Sequence, residues 1–526
     1  MRPLDWRAHL PEGSRQVAQA DLTSGGTLMT GWSSSWASDP SARCLLDLTG
    51  RGSPADWGRW VSAGELDERT RRAAGALRAS GLGDHDRVLW VADRSLRSVV
   101  AALGVLRAGS VLVPIDPSLT EREVRHVMSE VSPQAAVSDD ARVTTILRAE
   151  AERAGGGLVM VDSGLGITEG RPLPASAPIG IDEAGPAWPA LIGFTSGTTG
   201  APKGAVLTHA NLLANAESLR LAWRWTPEDR LVHALPLFHG HGLCAALFGT
   251  LHAGASAVLL GGFDAGLVCE SVADHAASLF FGVPTMYHRL ASAGRCGELR
   301  ALRLAVSGSA PLPAELHRDI ELSCGVHVLE RYGMTETLLT VSNPCEGERR
   351  PGSIGFPLPG TEVLLRVPDG GPSPDDGAEL AVRGPTVFSG YFEKPAQTAE
   401  RFCDGWFMTG DVGVVEGGYV RLLGRLTDVV ISGGHNVYPA EVEDVLLSYP
   451  GVAEVAVSGT PSDEWGEVVT AWVVPTDGVL DHDALLAHAA SALASYKRPR
   501  LVRQVDSLPR NAMGKVMRRE LHAAPQ

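Results

Sequence analysis

Basic residues are scarce: 46 Lys and Arg stand against 61 Asp and Glu, a formal net charge of −15. That balance excludes nucleic acid or an anionic membrane as the main partner. No uninterrupted apolar stretch reaches the about 20 residues a membrane helix needs. Even the run from Val99 to Pro114 is broken by Arg107, so no membrane insertion is expected. The seven cysteines (Cys44, Cys244, Cys269, Cys296, Cys324, Cys345 and Cys403) form no C-x-x-C pair. This argues against a zinc site or a thioredoxin-like motif. Their odd number and wide spacing lead us to expect free, buried thiols in a reducing cytoplasm. Met1–Arg7 has no apolar signal core, which agrees with a cytoplasmic location. Internal repeats and low-complexity tracts are also missing.

What is present is a long, balanced chain. Its 526 residues, 44% hydrophobic and 20% charged, are those of a globular protein with at least two domains. Up to about Gly50 the sequence is rich in Ser, Gly and Trp and reads as an irregular lead-in. Regular patterns follow. Leu66–Ala79, Ser95–Ala108 and Glu121–Glu130 have helical spacing, alternating with strand-like runs at Arg87–Asp93, Val111–Ile115 and Ala135–Val137. Such alternation implies a layered, parallel α/β domain. Gly164–Pro189 reads as a surface linker. A second α/β stretch spans Asn211–Ala310, and short β runs past Ile354 suggest a β-rich subdomain. Beyond Gly424–Asp428, a helix at Pro439–Ser448, strands at Val452–Val457 and Val468–Val474, and a helix at His482–Ala494 imply a small α+β domain. The division expected is therefore an N-terminal domain over 1–424, a hinge at 425–428, and a C-terminal domain over 429–526.

Four short segments carry chemistry. Phe194–Gly204 packs hydroxyls, glycines and Lys203 into a loop that follows a strand end, Leu191–Phe194. Successive N–H groups on such a loop form an anion-binding concavity, and lysine adds a point charge suited to phosphate. No Gly-Lys-Ser/Thr triplet closes it, so it is not a Walker A loop. In Glu330–Thr337, Tyr332 beside Gly333 offers a ring for an adenine face, and Thr335 and Glu336 offer the hard oxygens Mg²⁺ prefers beside phosphates. Asp411, in Phe407–Asp411, is placed on a turn where a carboxylate accepts from ribose hydroxyls. Lys515, in Arg510–Val516, follows a glycine and has the reach to swing onto a transferring group.

In this order the four segments resemble the ANL superfamily of adenylate-forming enzymes, over about Trp57–Leu521. The resemblance implies ATP, Mg²⁺ and CoA as partners, and a mobile C-terminal domain. Carried over by position, Thr195, Ser196, Gly197, Thr198, Thr199 and Lys203 would hold the β- and γ-phosphates, with Thr195 and Glu336 serving Mg²⁺. Ser309, Ala310, Pro311, Glu330, Arg331 and Tyr332 would flank adenine, and Thr335 would serve the α-phosphate. Asp411 and Arg425 would bind ribose, and Lys515 would stabilise the adenylation transition state. Gly433 and Gly434 would line a thiol channel after the domain turns. The position matching the family hinge, often Asp or Lys, is Thr427.

The acid pocket is similar to that of malonyl-CoA synthetases through Pro236–Gly242, Gly282–Arg289 and Ser307–Ala310. There Arg289 would hold a distal carboxylate, as a guanidinium fork can. His239, Ser307, Gly308, Gly333 and Met334 would lie beside the acid. A malonate-like diacid is the favoured substrate. The loop His435–Pro439 is closer to general acyl- and aryl-CoA ligases, so an aryl acid, or nitrite activated to diazotise an aromatic amine, stays open.

Overall fold

Fully buried runs such as Val111–Ile115 and Leu279–Gly282 become inner strands of parallel sheets, where both faces are covered by helices. The computed structural model describes the chain apart from residues 1–3, 5, 11–21, 23–25, 51–55, 156, 165–180, 196–201, 368–376, 463, 477, 511–514 and 524–526. Most of the expected linker and most of the phosphate loop therefore lie outside the described residues.

The described residues of the large domain form two mainly parallel sheets, of nine and seven strands. In the first, Val328–Met334, Leu304–Ser307, Leu279–Gly282, Arg230–His233, Ser256–Leu260 and Arg43–Leu48 run parallel in that order. In the second, Pro189–Phe194, Val111–Ile115, Arg87–Val91, Ala135–Val137 and Val159–Val161 do the same. An antiparallel five-stranded sheet carries Ala378–Arg383, Trp406–Glu416 and Tyr419–Arg425, the expected β-rich subdomain.

The lead-in expectation is corrected. Before Gly50 the chain forms a helix, Leu28–Ser38, and a strand, Arg43–Leu48. Thr27 and Thr30 cap the helix reciprocally, which satisfies its first free N–H groups. Leu28, Met29, Trp32 and Trp36 then bury one face. Serine-rich composition hid a helix whose inner stripe is aromatic.

The small C-terminal domain is built on Gly466–Pro475, which pairs antiparallel with Val452–Ser462 and parallel with Leu501–Gln504. Helices Pro439–Leu447 and His482–Ala492 cover it, and Val442, Leu446, Val457, Val469, Val473 and Leu485 form a core of its own.

Candidate active site

The carboxyl ends of the parallel strands from both sheets converge, the place where open α/β folds bind ligands. Thr195 follows Pro189–Phe194, His239 and His241 follow Arg230–His233, Ser309 follows Leu304–Ser307, and Thr335 follows Val328–Met334. The two sheets touch here: a Cβ on Gly193 would lie 2.7 Å from Cγ2 of Thr335, so glycine is needed for the approach. Between them opens a cavity of about 310 Å³, lined also by Lys203, Glu336, Tyr391, Arg401, Arg425 and Lys515.

One side of the cavity is polar. Asp411 is buried and accepts from the Tyr332 hydroxyl at 2.5 Å and from Arg425 Nε at 2.6 Å. Burial works against the Arg425 charge, yet Asp411, Tyr332 and Glu336 together hold the guanidinium above its ordinary value. Glu336 is buried, and one oxygen accepts from the Tyr391 hydroxyl at 2.9 Å. The Lys203 ammonium stands 5.2 Å from the centre of that tyrosine ring. The Thr195 amide is held by the Lys203 carbonyl at 3.0 Å, which closes the neck of the phosphate loop. Lys515 reaches the cavity from the small domain. Burial, with Arg425 near, lowers its ammonium, while Asp411 and Asp428 pull the other way. Ser309 lines the cavity with φ +71, a strained conformation for serine and one found at functional sites.

The other side is more apolar. Phe238, Leu243, Leu339 and Met334 line it with His239, His241 and Arg331. His241 opens a π-helical segment, His241–Phe248, a rare form that clusters at functional sites. Burial drives His239 down to about 4 and His241 well below its usual value, so both are neutral at pH 7. Cys244 also lines the cavity, and burial pushes its thiol up to about 12. That thiol stays protonated and inert.

The donor set fits a magnesium ion held mainly by substrate. Among the described residues no group of three or more His, Cys, Asp or Glu is built to hold a metal. Glu336, with one oxygen engaged by Tyr391, leaves its other oxygen for a cation that also binds phosphates and water.

Several expected site residues stand apart from the cavity. Ser196–Thr199 lie outside the described residues. Glu330 is buried, accepting from the amides of Leu312 at 3.3 Å and Gly352 at 2.9 Å, and burial raises it to about 8. It braces the strand and does not line the cavity. Ser307, Gly308, Ala310, Pro311 and Tyr332 are not part of the lining, and Tyr332 reaches the cavity only through its hydrogen bond to Asp411. Arg331 lines the cavity, within electrostatic reach of His241. Arg289 is exposed on the helix Pro284–Ala291 and does not line the cavity. Its helix buries Tyr287 and Leu290 and so turns Arg289 to solvent. Gly433 and Gly434 form the turn of a hairpin in the small domain, away from the cavity. Tyr391 and Arg401 were missed; neither lies in a motif, and only the fold brings them in.

The fold and this cavity define a two-domain nucleotide-handling enzyme in which the small domain presents a lysine to a site on the large one. The chain belongs to the AMP-binding enzyme family, whose model matches residues 34–392, with that of the AMP-binding enzyme C-terminal domain matching 441–515. Enzymes of this AMP-forming ligase type use ATP, with CoA as co-substrate and Mg²⁺ typical. Among curated relatives, the chain is 37% identical to a feruloyl-CoA synthase of Amycolatopsis sp, covering 88% of this chain and 94% of that one. It is 34% identical to the malonate–CoA ligase of Arabidopsis thaliana, covering 83% and 77%. Among solved structures, ATP-bound MatB from Rhodopseudomonas palustris superposes with a TM-score of 0.86 at 37% identity, covering 94% of this chain and 98% of that one.

Proposed function

We propose that this protein adenylates a short carboxylic acid with ATP and then passes the acyl group to the thiol of CoA. A dicarboxylate of malonate size is the favoured acid. The observation that carries the reading is the delivery of Lys515 into the cavity that also holds Glu336 and the Asp411–Arg425 pair. A carboxylate oxygen attacks the α-phosphorus, the bond to pyrophosphate breaks, and an acyl-AMP forms. Two anions meet, so the work is positioning and charge neutralisation. Lys515 sits between the acid oxygen and the α-phosphate, with Thr335 on the α-phosphate. Lys203, Thr195 and the loop through Ser196–Thr199 hold the outgoing pyrophosphate. Glu336 and Thr195 would hold Mg²⁺, which would supply charge neutralisation at the phosphates. Asp411 accepts from the ribose, and Ser309 and the strand around Tyr332 bound the adenine.

The thiol step needs a different arrangement. We place the domain boundary at 425–428, where Leu426–Asp428 forms a short turn and Leu426 is exposed. Rotation there carries Lys515 out and brings Gly433 and Gly434 toward the acyl-AMP. Such closure also keeps water from the activated acid. The seven unpaired cysteines suit a reducing cytoplasm.

Malonate–CoA ligase relatives support the diacid, while the feruloyl-CoA synthase relatives and the apolar lining by Phe238, Leu243 and Leu339 support an aryl acid as second reading. One panel separates them: malonate, methylmalonate, propionate, ferulate and nitrite, scored for pyrophosphate release and for acyl-CoA by mass spectrometry. Malonyl-CoA as the main product is expected. Pyrophosphate release with nitrite and an aryl amine, and no acyl-CoA from any acid, would overturn the ligase reading.

A further inference from the structure

Arg401 enters the cavity from outside the motifs, on the turn between the short helix Pro395–Ala399 and the strand Phe402–Cys403. The turn is pinned on both sides. The Arg401 amide donates to the Thr398 carbonyl at 3.0 Å, and the Arg401 carbonyl accepts from the Met408 amide at 2.8 Å. The guanidinium lies 5.4 Å from the centre of the Phe407 ring, and Phe407 is fully buried. That ring attracts the cation and steadies its stem. A Cβ on Gly410 would stand 3.5 Å from Nη2 and 3.8 Å from Nη1, so the fork lies along the backbone that leads into Asp411.

A cation held in this way has no protein partner. Nε is buried without a hydrogen bond, and among the described residues no carboxylate forms an ion pair with the fork. Even Glu379, which accepts from the neighbouring Gly410 amide at 2.8 Å, is not its partner. Arg425, which lines the same cavity, has Asp411 at 2.6 Å. A donor withdrawn from water and left unmatched costs stability, and a ligand anion would complete it. The surroundings say which anion. Lys203 Nζ is 5.2 Å from the centre of the Tyr391 ring, and Arg401 is within electrostatic reach of the same tyrosine, whose hydroxyl donates to Glu336 at 2.9 Å. Lys203 also closes the neck of the phosphate loop, its carbonyl accepting from the Thr195 amide at 3.0 Å. Arg401 and Lys203 thus share one tyrosine beside that neck, and phosphate oxygens suit a guanidinium fork.

We propose that Arg401 is a catalytic residue of the first half-reaction, binding the outer phosphates of ATP and keeping hold of pyrophosphate as it leaves. The proposal rests on the ligase reading above. It adds a grip from the β-rich subdomain to the one assigned to Lys203 and the phosphate loop. As the acid oxygen bonds to the α-phosphorus, the bond from that phosphorus to the α,β-bridging oxygen breaks, and its electron pair passes to the pyrophosphate. Charge on the leaving group rises, and the fork meets it.

The test compares Arg401→Met and Arg401→Lys with the wild-type protein by titration calorimetry, using ATP, pyrophosphate and AMP as probes. In Arg401→Met, affinity for ATP and for pyrophosphate is expected to fall about 10- to 100-fold, with AMP unchanged. Adenylation, trapped as hydroxamate, should lose at least about tenfold in kcat. Arg401→Lys should recover part of each loss, because the charge returns without the fork. Should Arg401→Met not fold, Arg401→Lys carries the same comparison, with a several-fold loss for ATP and none for AMP. A brace acting only on the fold would weaken AMP and ATP alike, so equal losses overturn the proposal, as does unchanged affinity for ATP. The binding readout also separates this proposal from the reading it rests on. Selective loss of ATP and pyrophosphate in a folded Arg401→Met, in a protein that adenylates no acid, keeps the phosphate grip and sinks the ligase. Adenylation of acids with ATP affinity unchanged in Arg401→Met does the reverse.

Discussion

Asp411 and Arg425 face each other across two antiparallel strands, with Nε of the guanidinium 2.6 Å from the carboxylate. The pair ties the β-rich sheet to the cavity and fixes the carboxylate we assign to ribose. Asp411→Asn keeps the shape and removes the charge, leaving the half-buried Arg425 without its partner. A loss of about 3 kcal/mol in unfolding free energy is expected, together with a KM for ATP raised at least about tenfold. Urea denaturation and the ATP dependence of pyrophosphate release read the two effects. Lost stability with unchanged KM would make the pair a brace alone.

Lys515 must be protonated to bridge two anions, and its surroundings make that harder. Burial, then the Arg425 charge and more weakly Arg518, lower its ammonium; Asp411 and Asp428 oppose them. Adenylation is therefore expected to fall as pH rises, with a midpoint below the usual lysine value. Lys515→Arg moves that limb upward, since a guanidinium does not titrate there. Lys515→Ala should cost about 10²–10³ in the first half-reaction. Hydroxamate formation across pH 7 to 10.5 is the measurement. A basic limb identical in Lys515→Arg would remove Lys515 from the role.

Gly433 and Gly434 both have positive φ, +57 and +80, as a two-residue hairpin turn between Val430–Ser432 and His435–Val437 requires. A Cβ on Gly433 would also stand 2.8 Å from Cε3 of Trp465. Gly433→Ala is expected to spare pyrophosphate release and to slow acyl-CoA formation about tenfold, through misplacement of the turn. Pre-formed acyl-AMP mixed with CoA isolates the second step. A parallel fall in both steps would place the turn's role in folding instead.

How far the sequence could be read follows from what each signal depends on. The helices Ala63–Ala79 and Leu96–Arg107 and the strands Arg87–Val91 and Val111–Ile115 were visible because their burial is periodic or continuous. Thr195, Lys203, Thr335, Glu336, Arg425 and Lys515 lie in short motifs, and the fold brings them to one cavity. For Arg331, which lines the cavity, and Arg289, which is exposed, a motif names a position and not a direction. Whether a side chain faces adenine, acid or solvent depends on strand alternation and on what its helix buries. Tyr391 and Arg401 carry no local signal; their contacts come from pairing of Gly390–Tyr391 with Gly204–Thr208 and from the turn before Phe402.

His209 opens the helix His209–Ala222 and is fully buried, and neither ring nitrogen has a partner. Burial lowers it from the ordinary imidazole value to about 4. A helix N-terminus further disfavours an imidazolium at that position. Because the folded value is depressed, the stability tied to neutral His209 is fully present above about pH 6.5 and lost as pH falls toward 4. The slope is about 1.4 kcal/mol per pH unit, so moving from pH 6.5 to 5.0 costs about 2 kcal/mol. His9, His233 and His239 are depressed as well, to about 4, 3 and 4, and add to the same acid sensitivity. His209→Leu removes one of these contributions without touching the cavity. Urea unfolding at pH 7.5 and 5.0 should show the variant losing about 2 kcal/mol less than the wild-type protein over that interval. Equal losses in both proteins would mean that His209 is already charged, or already solvated, in the native fold.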